Sequence, residues 1–228
     1  MTTQAEFEEI LKRCESVFLL KMKDYGTAWR VLRPSSLTDQ IYIKANRIRT
    51  LQVKGETRVG EGITPEFIGI VNYALMALIQ LQRGAADGQD QAALHDESVI
   101  DDYRREAQAT LEVMLRKNHD YGEAWRLMRV TSMTDLILMK VFRTKEIESN
   151  DGKTIVSEGV AANYQDMINY AVFSLIKLEL EGEGCSPAQE EPAGRRRLKQ
   201  HGHDVTRRVV CSDCARRASN VSTREVSR

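Results

Sequence analysis

The chain carries no excess charge of either sign, few aromatic rings and few cysteines, and no long hydrophobic run. Lys plus Arg and Asp plus Glu number 33 each in 228 residues. A net charge of zero gives no overall pull toward nucleic acid or acidic lipid. Four cysteines, one of them (Cys14) inside a helical pattern, do not make a disulfide framework. No apolar run approaches the roughly 18 residues that cross a bilayer, and the polar start MTTQAEFEE is not a signal peptide. A cytoplasmic protein with reduced thiols and no membrane partner is therefore expected. No stretch alternates with period two long enough for a sheet. Thr57-Arg58-Val59 and Thr154-Ile155-Val156 are at most short extended pieces of loop.

Apolar residues make up 42% of the chain, an ordinary share for a globular protein, and the length is sufficient to bury a core. The charge balance conceals a split. Residues 185–228 hold ten basic and five acidic side chains, which leaves 23 basic and 28 acidic in residues 1–184.

A tandem repeat organises the rest. Residues 24–39 read DYGTAWRVLRPSSLTD and residues 120–135 read DYGEAWRLMRVTSMTD, identical at ten of sixteen positions. Lys44/Lys140 and Arg47/Arg143 continue the match at the offset of 96. After a one-residue slip, Glu61-Gly62 pairs with Glu158-Gly159 and Asn72-Tyr73 with Asn169-Tyr170. A period of this length is a domain, not a solenoid unit.

Each copy reads as three helices. The first spans about 4–23, with Phe7, Ile10, Leu11, Cys14 and Phe18 on one face, and its equivalent spans about 97–118. The second is expected to start at Ser36 and Ser132, with Asp39 and Asp135 completing a capping box. The third opens at Thr64-Pro65-Glu66, with Thr64 as N-cap, and stops at Gly84; its partner covers about 160–181 and ends at Gly182. The expected fold is all-α: two tandem three-helix repeats, residues 1–84 and 97–182, packed as an intramolecular pseudo-dimer. Residues 183–228 contain Pro187 and Pro192, an Arg195-Arg196-Arg197 cluster and no aromatic ring, so a disordered basic tail is expected. Without aromatic residues between its arginines, the tail gives no case for nucleic-acid contact. His201, His203, Cys211 and Cys214 are a weak zinc candidate, because no apolar cluster accompanies them.

The chemistry-bearing residues cluster in the repeated strings. Asp24, Tyr25, Trp29 and Arg30, matched by Asp120, Tyr121, Trp125 and Arg126, bring an acid, two rings and a guanidinium together between helices one and two. An aromatic face can stack a base and an Arg fork fits phosphate oxygens, although a turn with a packing Trp explains the same residues. Lys44 with Arg47, and Lys140 with Arg143, share a helix face at i, i+3 and can grip a polyphosphate or simply be solvated. On helix three Glu66, Gly69 and Asn72 in copy one, and Asn163, Asp166 and Asn169 in copy two, form a polar line spaced by three. Glu66, Glu158 and Asp166 are the candidate oxygen ligands for Mg²⁺, which takes one or two carboxylates and leaves room for water and phosphate. Asn72 and Asn169 serve a ligand or tie the helix to a neighbouring backbone.

The string Lys-x-x-Asp-Tyr-Gly-x-Ala-Trp-Arg (Lys21 to Arg30; Lys117 to Arg126), followed by Thr-Asp, Lys-x-x-Arg and Asn-Tyr-Ala, resembles the nucleotide modification associated domain family. The likeness covers about 7–81 and 103–180. It implies a nucleotide or modified nucleotide as partner, and a link to nucleotide or DNA-base modification. A looser similarity to MazG-like all-α nucleoside triphosphate pyrophosphohydrolases implies Mg²⁺-dependent hydrolysis. The acidic strings of those enzymes are incomplete here: Glu8-Glu9 is followed by Lys12, and Arg104-Arg105 stand at the matching positions of copy two. A non-catalytic nucleotide-binding or protein-interaction scaffold is the alternative, and self-association into a homo-oligomer stays open.

Overall fold

Phe7, Ile10, Leu11, Cys14 and Phe18 recur at helical spacing and all five are buried along α1 (Thr3–Tyr25). In the computed structural model the described residues are 1–55, 60–156 and 158–182, and Met1–Gly182 forms one compact unit. The expected zinc candidate, the tail and the Thr57-Arg58-Val59 piece lie outside the described residues. After α1 come α2 (Pro34–Lys54) and α3 (Thr64–Arg83), then α4 (Val99–Tyr121), α5 (Val130–Ser149) and α6 (Val160–Leu175), which runs on into a π turn, Ile176–Leu180. Three 3-10 turns, Ala28–Val31, Ala93–His95 and Ala124–Leu127, make the corners. Among the described residues there is no strand, and Thr154-Ile155-Val156 is an exposed bend. The all-α expectation holds.

Two expected helix starts differ. α2 and α5 begin two residues early, at Pro34 and Val130, with Arg33 and Arg129 as N-caps and no side-chain cap. Thr38 and Thr134 instead turn their hydroxyls to the repeat interface, and Asp39 pairs with Lys145 at 2.6 Å. Proline sets the start of α2 because its fixed φ and missing N–H suit the first turn. Likewise Ile63, not Thr64, is the N-cap of α3, without a side-chain cap.

α3 and α6 pack against each other at the centre, α2 and α5 cover one side, and α1 and α4 each touch both central helices. Against the expectation of no long apolar run, α3 is long and apolar enough by composition to cross a membrane. Its apolar surface is already taken: Phe67, Ile70, Val71, Ala74, Leu75 and Ile79 have no exposure. A helix buried on nearly every side must be apolar on nearly every side.

The two copies share their core rather than merely touching. Tyr103 of α4 stacks on Phe18 of α1 with ring centroids 4.5 Å apart, and Phe7 meets Phe173 edge-on at 5.9 Å. Thr38, Glu148 and Tyr164 form a hydrogen-bonded knot across the interface, while the matching place in the other direction is held by Gln52 donating to Thr134 at 3.0 Å. Burial pushes the Glu148 carboxyl up, against the hydrogen bonds of Thr38 and Tyr164.

Candidate functional site

Each repeated Asp-Tyr-Gly-x-Ala-Trp-Arg string turns the chain from the first helix of its copy into the second. α1 ends where Gly26 adopts φ +62°, its N–H bonded to the Met22 carbonyl at 2.8 Å. A Cβ on Gly26 would lie 2.6 Å from the Leu94 carbonyl oxygen, so the inter-repeat linker also requires glycine here. The following 3-10 turn carries Trp29 inward, and Trp125 in copy two. Both indoles are buried, and both Nε1–H groups lack a hydrogen-bond partner.

Beside each indole lies a pocket between the first and third helices of the copy. In copy one it holds about 520 Å³ and is lined by Lys21, Trp29, Lys44, Glu66, Asn72 and Tyr73 among others. In copy two it holds about 340 Å³, with Lys117, Asn118, Trp125, Asp166, Asn169 and Tyr170 in its wall. Pockets of this size suit small molecules.

Charge enters the two pockets by different registers. In copy two Asp166 accepts from Lys117 at 2.6 Å and from Lys140 at 2.5 Å. Burial pushes the Asp166 carboxyl up, but the hydrogen bonds and charges of the two ammonium groups outweigh it and hold it below the usual carboxylate value. Burial pulls Lys117 down, and Asp166, helped by Glu158 and Tyr170, more than offsets that. In copy one the carboxylate stands one turn earlier: Glu66 accepts from Lys44 at 3.2 Å and from Arg47. Gly69 occupies the position matched by Asp166, and the Lys44 side chain lies across it. In copy two this sets two cations against one carboxylate, whereas in copy one Glu61 stands 3.8 Å from Arg47 as a second carboxylate.

The asparagines differ as well. Asn72 is satisfied at both ends, donating to the Cys14 carbonyl at 3.1 Å and accepting from the Tyr103 hydroxyl at 2.7 Å. Asn169 has a buried Oδ1 with no partner. The residue of α1 that matches Tyr103 is Phe7, which has no hydroxyl to give.

Several expected contacts are not assembled. Arg126 is consumed by Glu6, Glu123, Glu181 and Thr3; burial pulls its pKa down, but Glu123 and Glu6 outweigh that and raise it. Arg30 donates to the Gly84 carbonyl at 2.9 Å and anchors the linker. Neither guanidinium lines either of the two pockets beside the indoles. Trp125 does not offer a face for stacking: Phe173 lies parallel to it at 4.3 Å, Arg126 sits 4.4 Å from its ring, and 6% of it is exposed. Tyr25 in copy one and Tyr121 in copy two line the pockets and are exposed, with half-buried Tyr73 and Tyr170 beside them. Asp24 and Asp120 are exposed outside both pockets, and Arg143 lines a separate groove with Asp135 and Phe142.

The three carboxylates expected to hold Mg²⁺ do not fit that role. Glu66 and Asp166 face different pockets, each already claimed by two cations, and exposed Glu158 lines neither. No group of three His, Cys, Asp or Glu side chains suited to a metal occurs among the described residues. Mg²⁺ needs free oxygen donors converging on one point.

Two participants escaped the sequence. Lys117 opens the repeated string, yet its aim at Asp166 depends on how α4 meets α6. Asn118 has no repeat signal at all, since Met22 stands at its place in copy one. Its buried Oδ1 lacks a partner in the protein.

A model of the nucleotide modification associated domain 1 family matches the chain twice, over residues 21–81 and 117–178. No curated protein and no solved structure matches it.

Proposed function

The chain belongs to the nucleotide modification associated domain 1 family, as two copies in tandem, and on that premise we propose that it binds a nucleotide in the pocket of copy two. One observation carries the proposal: a buried tryptophan, its indole N–H without a partner in the protein, lines a pocket that also holds a lysine–carboxylate pair, and it does so in both copies. A buried donor left unpaired costs about 1–3 kcal/mol, so a repeated one is matched by an acceptor that the protein itself does not supply. Lys117 lines the pocket and Lys140, outside its wall, shares the Asp166 carboxylate with it, so the local charge favours an anionic group. Tyr121 and Tyr170 at the pocket give a base rings to pack on.

Binding is better supported than hydrolysis. Hydrolysis of a triphosphate through Mg²⁺ needs carboxylates that are free to hold the ion, whereas Glu66 and Asp166 neutralise lysines. A scaffold without a ligand leaves the two unpartnered indole N–H groups unexplained.

The test is calorimetry of the full chain with nucleoside mono- and triphosphates, beside Lys117→Ala. Saturable binding that weakens at least about tenfold in the variant supports the proposal, because an ammonium paired with phosphate contributes a charge-assisted bond. If no nucleotide binds to folded protein, the proposal is wrong.

A further inference from the structure

Apart from the two pockets, the seam between α2 and α5 leaves large apolar side chains in solvent. Phe142 is 54% exposed and Met139 39%, while Ile43, which stands in copy one where Met139 stands in copy two, is 57% exposed. Tyr42 of α2 meets Phe142 of α5 edge-on across the seam, ring centroids 5.8 Å apart. Leu138, Met139 and Phe142 also line an open groove of about 650 Å³. The charged residues of that groove are Arg49, Arg143, Asp135 and Glu146, two of each sign. Exposed apolar side chains are ordinary singly, but a group of them bordered by charges has the anatomy of an interaction surface.

The charges select the partner. Arg49 Nε lies 3.6 Å from Asp135, and Lys145 Nζ lies 2.6 Å from Asp39. The repeat relates these pairs, because Asp39 matches Asp135 and Arg49 matches Lys145. Each pair joins the early part of one helix to the late part of the other, so α2 and α5 run antiparallel and each end of the seam carries one acid and one cation. A twofold turn exchanges the two ends. The side chains of Asp39, Arg49 and Asp135 are more than half exposed, so each has room for a second partner. A partner of one sign, such as a nucleic acid or an acidic peptide, meets as much repulsion as attraction on such a face. A second face of the same kind fits it, since contact between identical patches requires a patch that complements itself.

We propose that the α2/α5 seam is the docking surface for a second copy of this chain. Phe142 and Met139 of each chain pack on the other's seam, and the acid and cation at each end pair with their opposites across the new twofold axis. The surface is separate from the nucleotide pockets, whose walls include none of these residues.

Sedimentation velocity of the full chain over a wide concentration range is the test. The expected result is a dimer that dissociates on dilution. Phe142→Lys and Ile43→Lys, at exposed positions on the seam, are each expected to raise the dissociation constant about tenfold or more, the size of losing an anchor at the centre of an interface. Leu20→Lys, at a 61% exposed position on α1, is the control and should leave the dimer intact. A wild type that stays monomeric at every concentration overturns the proposal and gives the seam to another occupant. A dimer that neither seam variant weakens, or that Leu20→Lys weakens as much, overturns it too. Circular dichroism verifies the fold of each variant, and should Phe142→Lys fail to fold, Ile43→Lys decides.

Discussion

The side chain of Lys44 lies across Gly69, so close that a Cβ on the glycine would stand 2.5 Å from Lys44 Cε. That contact explains why the carboxylate of helix three occupies different turns in the two copies. In copy two Asp166 sits at the matching position and meets Lys140 directly, whereas in copy one Lys44 passes over the glycine to reach Glu66. Both registers neutralise the lysine, half-buried Lys44 in copy one and buried Lys140 in copy two.

Gly69→Ala is therefore expected to displace the Lys44 side chain and weaken its pair with Glu66. The intruding methyl meets the flexible end of a side chain rather than backbone, so the loss should be modest, about 1 kcal/mol. Gly62→Ala, with nothing within 4 Å of its Cβ, is the control. Urea unfolding of both variants checks this, and equal midpoints would show that Lys44 moves aside freely.

Tyr103→Phe should cost about 1–3 kcal/mol, because it leaves the buried Asn72 Oδ1 without its donor. The ring still stacks on Phe18, so the loss isolates the hydroxyl. Denaturant titration measures it.

Acid should act through Asp166. Its folded carboxyl lies below the usual value of about 3.9, so its contribution to stability is complete above that pH and is lost as pH falls through the lower folded value. Asp166→Asn is expected to destabilise the protein by about 3 kcal/mol at pH 7, since Lys140 is left buried without a counter-charge. The gap between variant and wild type should narrow below about pH 4. Thermal melts from pH 3 to pH 7 provide the check, and a constant gap would contradict it.

Arg126→Ala should lower stability by about 2 kcal/mol and leave nucleotide affinity unchanged. Its guanidinium joins α1 to the end of α6 through Glu6 and Glu181 and does not line the pocket. A large loss of affinity in a folded variant would return Arg126 to the site.

The helical periodicity of α1, the glycine stops and the internal repeat were legible because each is a local property of the chain. Helix starts were less so: Ser36 and Asp39 spell a capping box, but Pro34 begins the helix two residues earlier and the interface takes Asp39. Among site residues, Lys44, Lys140, Asp166 and Asn169 announced themselves by repeating or by standing as polar groups on an apolar helix. Arg30, Arg126 and the Trp125 face were misleading for the same reason, since a residue needed for packing in both copies repeats as faithfully as one needed for a ligand.

The sequence by itself determined that this is a duplicated all-α protein of its family, because periodicity and repetition are written along the chain. Only the tertiary structure decided which polar groups are spent. Lys117 meets Asp166 from another helix, Tyr103 of copy two satisfies Asn72 of copy one, and Phe7 cannot return the favour to Asn169. Hydrogen-bond partnership between groups far apart in the chain is set by how helices pack.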